Sequence, residues 1–331
     1  MKTMLELVNI VPFSPLALLF AFLLDLIAGD PERFPHPVRW MGRLITAAEG
    51  RIRKAMPATE RGERLGGVLL WVAVVGAVYG VTLGVLYLSY KLSPTLTLVI
   101  SVYLVWTCLS VKSLGDEAMG VAGALGQGIE EGRERLKRIV GRDTSGLKEE
   151  EVLRATVETV AENSSDGVIA PLFFLALGGP ALMMAYKAVN TLDSMVGYKN
   201  GSYAHFGWFS ARADDAANFI PARLTGALIV SASFILGYNW MKSAAILLRD
   251  GRKHPSPNSG VPEAAMAGAL GLQLGGAASY GGVVSAKPLI GDLLCRFDGA
   301  MVASSVKVMR TAAVLMAGAV FFARTAFVFF L

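Results

Sequence analysis

The stretch Glu158-Thr-Val-Ala-Glu162-Asn163-Ser-Ser-Asp166-Gly167 carries the densest set of chemically useful side chains in this sequence. On a helix Glu158 and Glu162 fall i,i+4 on one face, and Asp166 extends the row if the helix continues. Like charges at that spacing repel, and Glu162 also faces the negative end of its helix. A bound cation offsets both penalties. Oxygen-only ligands of this kind suit Mg²⁺, which completes its shell with water and substrate phosphate. The competing reading is a solvated charged face.

Three other segments set polar groups beside apolar sequence. Lys187, Asn190, Asp193 and Ser194 recur every three or four residues, followed by Lys199, Arg212, Asp214, Asp215 and Asn218. A lone Lys at a membrane edge snorkels, but a stripe that combines Lys, Asn, Asp and Ser needs another account. Residues 249–260 pack Arg249, Arg252, Lys253, His254, Ser256 and Asn258 into a proline-stiffened loop, which is either a phosphate grip or a plain basic loop. Near the start, Asp25 ends an apolar run, where an ionised group is costly unless paired or wet. Pro31, Pro35 and Pro37 then make a rigid turn that holds His36 and Arg39, with Trp40 as an alternative interfacial anchor.

The elements that carry these residues are apolar. Of 331 residues, 53% are hydrophobic and 17% charged, and the mean hydropathy is +0.50, whereas soluble domains average about 25% charged. Runs long enough to span a bilayer cover 12–28, 66–89, 94–111, 168–186, 220–238 and 311–331. We therefore expect an all-α, polytopic integral membrane protein, a single domain over 1–331. It should have about five to six membrane segments and amphipathic cytoplasmic helices. Residues 1–28 lack the cleavage pattern of a removable leader.

Arg and Lys cluster in three loops, around 33–64, 133–142 and 242–253. The positive-inside bias places these in the cytoplasm and the 90–93 link outside. Pro171 and Gly178-Gly179-Pro180 interrupt the run 168–186, which is either re-entrant or a kinked span. Asp116–Val140 reads as one surface helix with an apolar stripe of Val121, Leu125, Ile129, Leu136 and Ile139. A second helix should run from about Lys148 to Glu162. The uncharged, glycine-rich stretch 264–286 suits close helix packing or approach of a bulky ligand. Cys108 and Cys295 are far apart and suggest neither a disulfide framework nor a zinc site. There is no GxxxxGK[ST], HExxH or GxSxG. The residues alone point to a membrane enzyme that handles a phosphorylated substrate with Mg²⁺.

The strings DLIAGDPERFPHPVRWMGRLI, GRDTSGL, VAENSSDGVIAPLFFLALGGPALMMAYKAVNTLDSMVGYKN, FGWFSARADDAANFIPARLT and RKHPSPNSGVPEAAMAGALGLQLGG resemble the adenosylcobinamide-phosphate synthase family of cobalamin biosynthesis, the CobD/CbiB proteins. They span nearly the whole chain. The resemblance implies ATP-dependent joining of adenosylcobyric acid to 1-amino-2-propanol or its O-phosphate, through an acyl phosphate. It implies Mg²⁺ as cofactor and ATP as co-substrate. On that footing Glu162, Asp166 and Asp193 are assigned to the metal, with Glu158 in support. Lys187, Lys199, Arg212, Lys253 and His254 are assigned to phosphates, with Arg39, Asn163, Asn190, Ser256 and Asn258 as further substrate contacts. Lys187 is also a catalytic candidate, and His36 or Asp215 the base. A cell-membrane location with a cytoplasmic site is expected, since ATP is cytoplasmic. One site in one compartment favours the re-entrant reading of 168–186, although that leaves an odd number of crossings before the third basic loop. Expected partners are the corrinoid, the amine, ATP and membrane lipid, with no nucleic acid. A homo-oligomer or a complex with other late-pathway membrane enzymes also fits. The rival readings are a Mg²⁺-dependent membrane prenyl- or phosphotransferase and a non-catalytic corrinoid-binding protein.

Overall fold

The computed structural model describes residues 13–30, 35–198, 201–280 and 282–330, the side chains of 327–330 excepted. Helices dominate, and they fall into two compact units, 1–109 with 170–218 and 317–331, and 110–169 with 219–316.

The first unit opens with α1 (Pro15–Ala28), where the Ser14 hydroxyl accepts the Leu16 N–H and Pro15 starts the helix. α2 (Pro37–Ala55) begins at the proline turn. Tyr103 donates to the Pro35 carbonyl at 2.8 Å and Trp106 to that of Gly29 at 2.9 Å, which pins the turn's flanks. α3 (Glu60–Leu92) is capped by Thr59, with Glu60 and Glu63 in its first turn. At about 50 Å it exceeds the hydrocarbon core. Only 17% of its most apolar window is buried, leaving Val72, Val81 and Leu88 for lipid. Ser93 and Pro94 start α4 (Pro94–Trp106) at once, so the expected 90–93 link shrinks to one residue. In α8 (Ala170–Val196) two helical arms meet at Gly178 and Gly179, whose backbone leaves helical geometry with φ +67° at Gly179. α9 (Trp208–Ala217) completes the unit with the end of α13 (Gly299–Phe330).

In the second unit, the helix expected over 116–140 is two helices. α5 (Val111–Leu125) and α6 (Ile129–Lys137) are broken at Gly126-Gln127-Gly128, where two glycines in three residues cannot sustain a helix. The stripe itself holds. Val121 and Leu136 are buried with Val152 and Ala155, and Leu125, Ile129 and Ile139 pack against them. α7 (Glu149–Ser164) runs into a π-helical turn at Ser165–Ile169. The extra residue in that turn takes Asp166 out of the α-helical row that Glu158 and Glu162 begin. α10 (Phe219–Ile235), α11 (Trp240–Asp250) and α12 (Gly260–Leu270) follow.

The glycine-rich stretch is only half helical. β1 (Gln273–Tyr280) and β2 (Val283–Gly291) form an antiparallel hairpin, with Gly276 opposite Lys287 and a bulge between Leu274 and Gly276. Gly275 and Gly276 have φ of 84° and 90°, which a helix excludes.

Among the described residues four helical stretches are long and apolar enough to cross a membrane: Glu60–Leu92, Pro94–Leu125, Glu149–Val196 and Gly299–Ala326. A fifth arises if α9 and α10 count together. This is a polytopic α-helical membrane protein. α1, at 14 residues, is shorter than a span. Arg324, expected to snorkel, is 9% exposed with its guanidinium 5.5 Å from the Phe13 ring centroid.

Candidate active site

Glu158 sits on the inner face of α7, 3% exposed. Its Oε2 lies 2.6 Å from Arg142 Nη2, and its Oε1 accepts the Gly275 N–H at 2.8 Å. The carboxylate is thus shared between the 142–147 loop and the hairpin bulge. One turn on, Glu162 Oε1 accepts the Ser259 hydroxyl at 2.9 Å. Glu263, on the first turn of α12, completes the group at 2% exposure. Burial, then the charges of Glu158 and Glu162, push its carboxyl well above the usual range. Burial opposes the charge on Arg142, but Glu158 outweighs it and holds the guanidinium protonated.

The 254–258 loop lies beside this group. Arg223 grips it, donating to Asn258 Oδ1 at 2.9 Å and to the Pro257 carbonyl at 3.1 Å. Ser256 turns the loop by accepting the N–H groups of Asn258 and Ser259. The Ser256 N–H donates to His254 Nδ1 at 3.0 Å, which leaves the ring proton on Nε2. Burial and then the Lys287 charge lower the His254 pKa, so the ring is neutral at pH 7. Lys253 points elsewhere. Its Nζ is 2.6 Å from Asp250 Oδ1, in a cluster with Arg249 and the Gly291 N–H. Asn163 donates back to the Thr159 carbonyl of its own helix, and Asp166 is half-buried in the π turn. A cavity of about 640 Å³ opens between the 142–147 loop and the hairpin, with Arg142 and Ser279 in its wall.

The first unit holds the other expected residues. Asp214, buried on α9, is the hub: Asn218 donates to it at 2.9 Å and Asn190 at 3.5 Å. Tyr186 donates to Asn218 at 2.8 Å. Asp193 and Asp215 lie close enough for their charges to act on Asp214. Lys187 is half-buried and Arg212 exposed. His36 is 7% exposed with Nε2 3.0 Å from Asp30 Oδ1, and Arg39 is exposed. Lys199 lies outside the described residues.

For a divalent cation the donor chemistry fits in one respect. Glu162 and Glu263 offer carboxylates in one setting, and a metal would offset the burial and like charges that raise the Glu263 carboxyl. Glu158 is already committed to Arg142. Among the described residues no group of three or more His, Cys, Asp or Glu side chains could hold a metal, so water and substrate phosphate must supply the remaining ligands.

Sequence reasoning did not single out Lys287, Ser259, Arg142 or Arg223 for this group. A lone Lys after a long uncharged stretch was the available signal for Lys287.

A model of the CobD/Cbib protein family matches residues 18–309. Cobalamin biosynthesis protein CobD of Geobacter metallireducens is 52% identical over 299 residues, 90% of this chain and 93% of that protein. Its namesake in Pelobacter propionicus is 49% identical, covering 92% and 93%. Cobalamin biosynthesis protein CbiB of Salmonella typhimurium is 49% identical, covering 84% and 87%. No solved structure matches. The family match over most of the chain and this level of identity show that the chain belongs to the CobD/CbiB family of cobalamin biosynthesis proteins.

Proposed function

We propose that this membrane protein is the ATP-dependent amide synthase that joins adenosylcobyric acid to 1-amino-2-propanol or its O-phosphate. The observation that carries this is the set of buried Glu158 and Glu263 with half-buried Glu162, beside Arg142 and Lys287. Three carboxylates in one low-dielectric setting are costly unless a cation joins them. Family membership supports the corrinoid substrate, and a cavity of about 640 Å³, which shares Arg142 with this group, has room for a ligand of nucleotide size.

A carboxylate is a poor electrophile, so its oxygen attacks the γ-phosphorus of ATP and ADP leaves. The amine nitrogen then attacks the acyl carbon of the acyl phosphate. Inorganic phosphate leaves, and the amine's proton passes to a base or to solvent. Mg²⁺, when bound, would neutralise charge on the phosphate oxygens, held by Glu162 and Glu263. Arg142 holds the Glu158 carboxylate in place. His254, neutral with its proton on Nε2, donates a hydrogen bond rather than accepting a proton. His36 and Asp215, in the first unit, are the proposed alternatives for the base. In the first unit Lys187, Asn190 and Arg212, proposed as substrate contacts, and Asp193, proposed as a metal ligand, are to be tested by their own alanine variants.

The deciding assay supplies ATP, Mg²⁺, adenosylcobyric acid and either amine to the detergent-purified chain and reads the amide product. Corrinoid binding without ATP consumption would favour a binding protein instead. A cytoplasmic site requires that cysteines placed at 200 and 255 be labelled from the cytoplasmic side. Labelling of either from outside would defeat that assignment.

A further inference from the structure

We propose that Lys287, on the hairpin, and the Nε2–H of His254 form a two-donor grip for a phosphate group of the nucleotide. The inference rests on the amide-synthase reading above for the identity of that ligand. Lys253 is the cation expected from sequence to hold phosphate beside His254, but Asp250 holds its ammonium at 2.6 Å. Asp250 is fully buried and also receives Arg249 and the Gly291 N–H. The loop's own lysine is therefore spent on Asp250, which itself ties α11 to the end of β2.

Lys287 has no such commitment. Among the described residues no carboxylate lies within ion-pair distance of it, yet its charge acts on both His254 and Glu263. It is half-buried on β2 opposite Gly276. The bulge next to that pair is where Gly275 donates to Glu158, so the strand carrying Lys287 is tied to the glutamate group through its partner strand.

His254 supplies the second donor. The Ser256 N–H occupies Nδ1, so Nε2 bears the proton, and Nε2 is buried with no hydrogen-bond partner among the described residues. A buried N–H left unmet costs about 1–3 kcal/mol, which favours an acceptor atom at this position. The ligand must be an acceptor, and the neighbouring lysine makes it an anionic one. The loop is rigid enough to aim the ring. Arg223 clamps Asn258 and Pro257, and Gly260 lets the start of α12 close against His254, where any Cβ would collide with the ring's own Cβ. A phosphate oxygen bound here would lie near Glu162 and Glu263, the carboxylates that would hold magnesium.

The test uses the full chain in detergent with Mg²⁺. It measures equilibrium binding of a non-hydrolysable ATP analogue and, in separate arms, of O-phosphoethanolamine and inorganic phosphate, alongside amide formation. Lys287→Met and His254→Phe should each weaken binding of the ATP analogue at least about tenfold. Lys287→Met should lower kcat about 10²-fold. Lys287→Arg and His254→Gln, which keep a cation and a donor, should recover most of the loss. Melting temperatures within a few degrees of the parent would separate these effects from misfolding. Unchanged analogue binding and unchanged kinetics in Lys287→Met would overturn the proposal, as would equal losses in Lys287→Met and Lys287→Arg. Losses confined to O-phosphoethanolamine would also overturn it, moving the grip to the phosphorylated amine. If the parent chain itself binds no ATP analogue and forms no amide, the amide-synthase reading fails first.

Discussion

Arg142 Nη2 and Glu158 Oε2 are 2.6 Å apart, with the two side chains 11% and 4% exposed. Glu158 and Glu162 share one face of α7, but this pairing divides their roles. Glu158 ties the 142–147 loop and the hairpin to α7, and Glu162 faces Ser259 with capacity left for a ligand.

Removing one partner of a buried ion pair leaves the other uncompensated, at a cost of about 3–5 kcal/mol. Arg142→Met should therefore lower the unfolding temperature in detergent sharply. Combining it with Glu158→Gln should restore part of the loss. Strictly additive losses in the double variant would show that the pair is not coupled.

Glu162→Ala and Asp193→Ala should each reduce amide formation by about 10²-fold or more, with membrane insertion intact by fractionation. Near-parental activity in either variant would remove that residue from the site.

Asp250 provides a pH signature. Hydrogen bonds from Arg249, opposed by burial and joined by Lys253 and the Gly291 N–H, hold its carboxyl well below the usual range. A depressed carboxyl contributes stability above its unfolded value of 3.8, and that stability is lost as pH falls through the lower folded value. Asp250→Asn should thus melt below the parent at pH 7, with the gap closing as pH falls below 4. A gap of constant size from pH 7 to pH 3 would contradict this.

Gly67 on α3 packs so closely on the Phe206 carbonyl that any Cβ would collide with backbone, whereas Gly76 on the same helix faces open space. Gly67→Ala should cost about 1–3 kcal/mol by overpacking. Gly76→Ala should be neutral or slightly stabilising through helix propensity. Thermal unfolding of the two variants side by side checks this, and equal melting temperatures would refute it.

Sequence by itself determined the helical membrane class, because apolar runs of spanning length have no other stable setting. It also determined the apolar stripe of Val121, Leu136 and their neighbours, since 3.6-residue periodicity is a local property. It marked the Gly178-Gly179 break and the i,i+4 placement of Glu158 and Glu162 for the same reason. Pairings between residues distant in the chain were not legible. Whether Lys253 serves a ligand or Asp250, and whether Glu158 meets a metal or Arg142, depends on which loop folds against which helix. Lys287 joins Glu263 and His254 only because the stretch after α12 becomes a hairpin. A glycine-rich run has no periodicity to announce such a turn, so only the folded chain could decide it.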